Sequence, residues 1–166
     1  MTALVALVVA LLLMLVELRI SRAHERVLRA RGAIAPADPA YEAMRWGYPG
    51  AFIVMAIEGG VFGPAPRLAV AVGVTVFVLA KLLKAWAIRT LGVRWTFRVL
   101  VLPGAPLVTA GPYRLLRHPN YVAVIGELVG MAILAGARAS GPVAVAWFGF
   151  LLTRRIAAEE RALGLR

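Results

Sequence analysis

Residues 2–18 are almost unbroken Ala, Leu and Val, close to the roughly 20 residues that carry a helix across a bilayer. A backbone in hydrocarbon must satisfy its own polar groups, so a segment like this is committed to helix. Four further apolar runs follow, at about 46–62, 68–88, 121–137 and 142–152. The hydrophobic fraction is 61% and charged residues make up only 16%, against roughly 45–50% apolar content in soluble domains. The fold class read from this is an all-α integral membrane protein with about five transmembrane helices. No basic residue precedes the first run and no clean small-residue cleavage site follows it, so it is read as a span and not as a signal peptide.

The segments between the runs are short and distinctive. Residues 21–31 carry Arg22, Arg26, Arg29 and Arg31 at roughly helical spacing and read as a basic amphipathic stretch on the headgroups. Gly32 ends it, and Pro36 and Pro39 make a loop. Gly63-Pro64-Ala65-Pro66 is a tight turn between the second and third spans. Residues 90–119 form the longest polar-leaning stretch, with alternation near 95–102 that predicts a short extended segment. The fifth run is short, and it is either tilted or continues through Arg154 and Arg155 as a helix leaving the membrane. The whole chain, 1–166, reads as one domain: three spans and the amphipathic segment in 1–88, and the motif-bearing core in 89–166.

The net charge of +11 is distributed as in a membrane protein, which argues against nucleic acid as a partner. With five spans and a cytosolic C-terminus, all of the 19 Lys and Arg except Arg67 and Arg138 fall on the cytosolic side, as the positive-inside bias requires. The absence of Cys excludes disulfides, thiolate metal sites and a Cys nucleophile. Two isolated His and few carboxylates leave no metal site to predict. Glu17 and Arg19 mark the interfacial end of the first span. Glu58 is paired with Lys81 or Lys84 as an intramembrane structural ion pair.

Two polar clusters stand out on the expected cytosolic side. The first is Gly111 to Tyr121, GPYRLLRHPNY, where two prolines fix φ. Within it Arg117 and His118 can donate to a carboxylate or phosphate, and Tyr121 offers a ring and a hydroxyl. A plain interface loop would use the same residue types. The second is the tail, where Arg155 and Glu159 share one helix face at i, i+4 beside Glu160. A solvated helix end would also show such pairs. Glu127, two turns into the fourth span, is an intramembrane carboxylate and therefore a functional candidate, with a buried hydrogen-bonded structural role as the alternative.

Taken jointly, Gly111, Pro112, Tyr113, Arg117, His118, Pro119 and Tyr121, followed by Arg155, Ile156, Glu159, Glu160 and Leu163, resemble the isoprenylcysteine carboxyl methyltransferase family. The resemblance spans residues 91–163. It implies S-adenosyl-L-methionine as methyl donor, held by Tyr113, Arg117, His118, Pro119, Tyr121 and Glu159. It places Arg155 and Glu160 at the substrate–cofactor junction. RHPNYVAVIGELVG, with Asn120 and Glu127, is similar to a bacterial branch that O-methylates alkylresorcinols and alkylpyrones. That branch would make Glu127 the group that orients or deprotonates a phenol or enol. The implied partners are a lipophilic or prenylated acceptor and membrane lipid, in a bacterial plasma membrane with the active site cytosolic. Relatives often carry Asn-Pro where Ser140-Gly141-Pro142 stands here, and continue through a tyrosine-bearing tail, so part of the cofactor lid is expected to be absent or supplied from elsewhere. No G-x-G-x-x-G follows a strand, which excludes a soluble Rossmann-type methyltransferase. Two other classes stay open: an NADPH-dependent membrane sterol-type reductase, which would want more basic and aromatic residues after the acidic pair, and a lipid-binding or transport module, which would want broken helices in repeated halves.

Overall fold

A computed structural model describes residues 2–164; Leu165 and Arg166, the last cation of the tail, lie outside the described residues. Five α-helices account for most of them: α1 (Thr2–Ala30), α2 (Tyr41–Val61), α3 (Arg67–Leu91), α4 (Pro119–Ala135) and α5 (Ser140–Ala162). Single 3₁₀ turns at Gly92–Arg94 and Gly111–Arg114 punctuate the long α3–α4 connection. There is no strand among the described residues. The alternation near 95–102 yields only one antiparallel bridge, Ile34 to Val101, closed by two backbone hydrogen bonds of 2.8 and 2.9 Å. The partner is a loop rather than a second strand, so the extended pairing cannot propagate.

Helix α1 runs unbroken through the basic stretch that sequence reading set apart at 21–31. Nothing between Leu18 and Ala30 breaks a helix, and Ser21 and Leu28 are buried, so this stretch packs against the protein as well as presenting arginines. Helix α2 begins at Tyr41, a turn before the expected start at Trp46. Helix α5 takes the second of its two expected courses, continuing through Arg154 and Arg155 to Ala162.

Among the described residues, two helices are long and apolar enough to cross a membrane, α1 and the helix that starts at Arg67, and α4 is a shorter apolar helix. Their outward faces are greasy: Leu4, Leu12, Leu15, Leu68, Leu82 and Val122 are all exposed. The acidic and basic side chains Glu17, Lys84, Glu127, Arg155 and Glu160 are buried. Charges are almost never buried unless paired, and each of these faces an ionisable partner.

Helices α3 and α4 pack closely, and glycines let their backbones touch. A Cβ on Gly130 would lie 2.6 Å from the Phe77 amide nitrogen and 2.9 Å from the Gly73 carbonyl oxygen. Gly73 in turn faces the Leu134 backbone. Backbone cannot yield as a flexible side chain can, so a methyl here forces the helices apart. Gly130→Ala is expected to cost about 1–3 kcal/mol. In a thermal-unfolding scan in detergent the midpoint falls by roughly 3–10 °C; an unchanged midpoint would show that α3 and α4 are not in close contact.

The remaining core is apolar, built on Phe52, Met55, Leu128, Met131 and Phe148. Glu58 does not meet a lysine. Its carboxylate accepts from the backbone N–H groups of Ala139 (2.9 Å) and Ser140 (2.8 Å) and from the Ser140 hydroxyl (2.5 Å). The expected pairing with Lys81 or Lys84 fails because Glu58 sits at the opposite end of the bundle, where it caps the unsatisfied N–H groups opening α5.

Candidate active site

The polar corner begins with a turn that only glycine accommodates easily. Gly111 has φ +55°, and a Cβ there would press into the Thr90 side chain and sit 3.1 Å from the Trp86 indole nitrogen. Pro112 is buried behind it. The chain then reaches His118, which caps α4 from a non-helical conformation, with Pro119 at the first helical position. Proline suits that position because its missing N–H would have no intrahelical partner. His118 and Tyr121 are therefore one turn apart, and their rings stack with centroids 5.3 Å apart and an interplanar angle of 13°.

Helix α5 delivers the second half of the corner. The Tyr121 hydroxyl donates to Glu159 Oε2 at 2.7 Å. His118 Nδ1 lies 3.7 Å from the same oxygen, and His118 Nε2 lies 3.6 Å from Glu160 Oε1. The imidazole is thus bracketed by two carboxylates contributed from successive positions of one helix. Tyr113 is half-buried nearby, and burial, reinforced by the Glu159 charge, pushes its hydroxyl well above the usual phenolic range. It stays protonated and can donate. Arg117 is exposed beside the corner.

Arg155 lies one turn before Glu159 on α5. Its guanidinium lies 5.9 Å from the centre of the Tyr121 ring and donates to the Phe97 carbonyl. It also approaches Met44 Sδ at 3.7 Å, and its Nε is 3.5 Å from Asp38 Oδ2. The 95–98 loop that supplies the Phe97 carbonyl is pinned from several sides. Phe97 N–H donates to Ser21 Oγ at 2.8 Å, and Trp95 Nε1 donates to Asn120 Oδ1 at 3.2 Å. His24 Nδ1 meets the Trp95 carbonyl at 2.8 Å; a carbonyl only accepts, so this nitrogen carries the proton.

Glu127 is in a different place. It is fully buried, six residues or about 9 Å along α4 from Tyr121, in a closed ring of alternating charge. Lys81 Nζ lies 2.7 Å from Glu127 Oε2 and 2.7 Å from Glu17 Oε1. Lys84 Nζ lies 2.7 Å from Glu127 Oε1 and 3.2 Å from Glu17 Oε2. The Tyr48 hydroxyl donates to Glu127 Oε2 at 2.8 Å. Glu17, expected to mark an interface, is instead one of the two carboxylates of this ring.

The structure therefore brings Tyr113, His118, Pro119, Tyr121, Arg155, Glu159 and Glu160 to one corner, leaves Arg117 at its edge, and sets Glu127 below it. Sequence reading missed Asp38 and Met44, which reach Arg155 from the N-terminal third, and Glu17 as the partner of the lysines. The available signals were an acid held between Pro36 and Pro39, and a carboxylate inside an apolar run.

Residues 71–164 match the model of the isoprenylcysteine carboxyl methyltransferase (ICMT) family. The chain belongs to that family. Over 148 residues it is also 29% identical to YpbQ, an uncharacterized protein of Bacillus subtilis, covering 89% of this chain and 88% of that one. An uncharacterized protein of Haemophilus influenzae is 25% identical over 148 residues, covering 89% of this chain and 86% of its own. No solved structure matches significantly. The isoprenylcysteine carboxyl methyltransferase family is one of membrane-associated methyltransferases. The matched region holds every residue of the corner from Tyr113 to Glu160, whereas Glu17, Asp38, Met44 and Tyr48 lie outside it.

Proposed function

We propose that the chain is an S-adenosyl-L-methionine-dependent methyltransferase that acts at a membrane surface on a lipophilic acceptor. The observation that carries this reading is the meeting of His118 and Tyr121 with Glu159 and Glu160, inside the family-matched region. The cofactor, when bound, supplies an electrophilic methyl group on a sulfonium. The residues of the corner suit its functional groups. Glu159 can accept from an ammonium, Arg117 and His118 can donate to a carboxylate, and the Tyr121 face suits a cation. Tyr113 adds a protonated hydroxyl, and Pro119 fixes the backbone that aims His118.

In this reading Arg155 and Glu160 stand where acceptor and cofactor meet, and holding the two in line contributes much of the rate. Glu127 is engaged by two ammonium groups and the Tyr48 hydroxyl, so it shapes the floor under the acceptor's polar group. The bundle crosses the membrane with the corner on the cytosolic side, supported by its apolar outer faces and by the placement of Lys and Arg. An acceptor with a phenolic or enolic head and an alkyl tail, of the alkylresorcinol or alkylpyrone kind, suits a polar corner at the end of an apolar bundle. The setting is a bacterial plasma membrane.

Calorimetry with S-adenosylhomocysteine and detergent-purified protein tests the cofactor. Saturable binding is the expected result. NADPH binding in its place would replace this reading with a membrane reductase, and binding of neither would leave a lipid-handling protein.

A further inference from the structure

The α1–α2 loop contributes a charge to the corner from outside the family-matched region. Asp38 and Arg155 are each 8% exposed at the side chain and lie 3.5 Å apart, carboxylate Oδ2 to guanidinium Nε. The pair is engaged without being fully satisfied, since neither Oδ2 nor Nε makes a hydrogen bond. The loop itself is held in place. Asp38 Oδ1 accepts from the Ala40 N–H at 3.1 Å. Ile34 is bridged to Val101, and the Arg98 guanidinium stacks 4.2 Å from the centre of the Tyr41 ring just beyond. A cavity of about 140 Å³ lined by Pro36, Asp38, Tyr41, Glu42, Arg98 and Val99 borders Asp38. The carboxylate is fixed by the Ala40 N–H on one oxygen and by the Arg155 charge facing the other.

We propose that Asp38 is a positioning residue for Arg155. The Arg155 guanidinium has a soft contact on Met44 and a carbonyl on Phe97, but Asp38 is the opposite charge placed against it in a dry setting. An arginine buried without such a partner is strongly unfavourable, and its planar fork would swing toward water or toward the Glu159–Glu160 pair. Asp38 holds it under the Tyr121 ring, at the boundary between the proposed cofactor and acceptor. The N-terminal third thus completes the site by acting on Arg155. Asp38 itself touches neither ligand.

This rests on the role given to Arg155 above, and two measurements keep the two readings apart. The first needs no ligand: a double-mutant cycle on the thermal midpoint with Asp38→Asn, Arg155→Gln and the double variant. The expected result is strong coupling, with the second substitution costing little once the first is made. The second compares S-adenosylhomocysteine affinity with turnover, using pentadecylresorcinol as probe acceptor. Asp38→Asn is expected to keep cofactor-product affinity within about threefold while turnover per binding site falls by about tenfold or more. Asp38→Glu, which keeps the charge, recovers a substantial part of the turnover. Additive midpoints, or a turnover per binding site equal to that of the unaltered protein, would overturn the proposal. Absence of S-adenosylhomocysteine binding by the unaltered protein would instead overturn the functional reading and leave the coupling cycle to judge the pair.

Discussion

Replacing Glu159 with Ala is expected to weaken S-adenosylhomocysteine binding by roughly 10- to 100-fold while leaving the protein folded. A hydrogen bond to a charged group contributes about 1.5–3 kcal/mol, and each 1.4 kcal/mol is a factor of ten in affinity. Glu159 is also only partly buried, with its side chain 29% accessible, and buried Arg155 keeps Asp38 as its opposite charge when Glu159 is removed. His118→Ala should cost a similar amount by a different route, since it removes both the ring stacked on Tyr121 and a potential donor. Tyr121→Phe keeps that ring and deletes only the hydroxyl that donates to Glu159. Its loss should be smaller, a few-fold. The double variant His118→Ala with Glu159→Ala should fall short of the sum of the singles, because the two side chains approach each other and share Tyr121. Calorimetric titration of the four proteins gives the order directly. Unchanged affinity in Glu159→Ala would remove the acidic pair from the cofactor site.

The parts of this corner that could be read in the sequence are local ones. His118, Pro119 and Tyr121 fall within a single turn, and Glu159 and Glu160 are neighbours, so spacing alone keeps the members of each set close together. That the two sets meet followed from family resemblance and from the distribution of basic residues. Asp38 was not legible in the same way. It is 117 positions from Arg155, on a loop whose path depends on the Ile34–Val101 bridge, and nothing in the local pattern announces that pairing. Helix positions were legible because apolar runs of that length permit little else. Helix ends were less so: α2 starts early at Tyr41, and α1 continues through the arginines, since charge does not break a helix and no Gly or Pro intervenes. Glu58 shows the limit of matching opposite charges by type. Its oxygens go to the N–H groups at the start of α5, a partner that composition cannot display.

The buried ring of Glu17, Lys81, Lys84 and Glu127 should give the largest stability effect in the molecule. The four side chains alternate in sign, come from α1, α3 and α4, and sum to zero charge. Such a ring need not be more stable than an apolar plug of equal volume, because removing four charges from water is costly. Breaking it is another matter. Glu127→Ala would leave two ammonium groups facing one carboxylate in a dry bundle and deprive the Tyr48 hydroxyl of its acceptor. Loss of one member of a buried pair costs about 3–5 kcal/mol, which corresponds to a fall in the thermal midpoint of roughly 10 °C or more. Lys84→Met alone should be comparably harmful by leaving an excess carboxylate. The combination of Glu127→Gln with Lys84→Met restores neutrality and should recover more than half of the loss. Scans of the three variants in detergent decide the matter, and a Glu127→Ala protein as stable as its parent would show that the ring does not hold the helices. S-adenosylhomocysteine binding supplies the companion readout. Because the ring lies about 9 Å along α4 from Tyr121, the compensated double variant should bind the product with near-normal affinity. That outcome separates a structural floor from a working part of the corner above it.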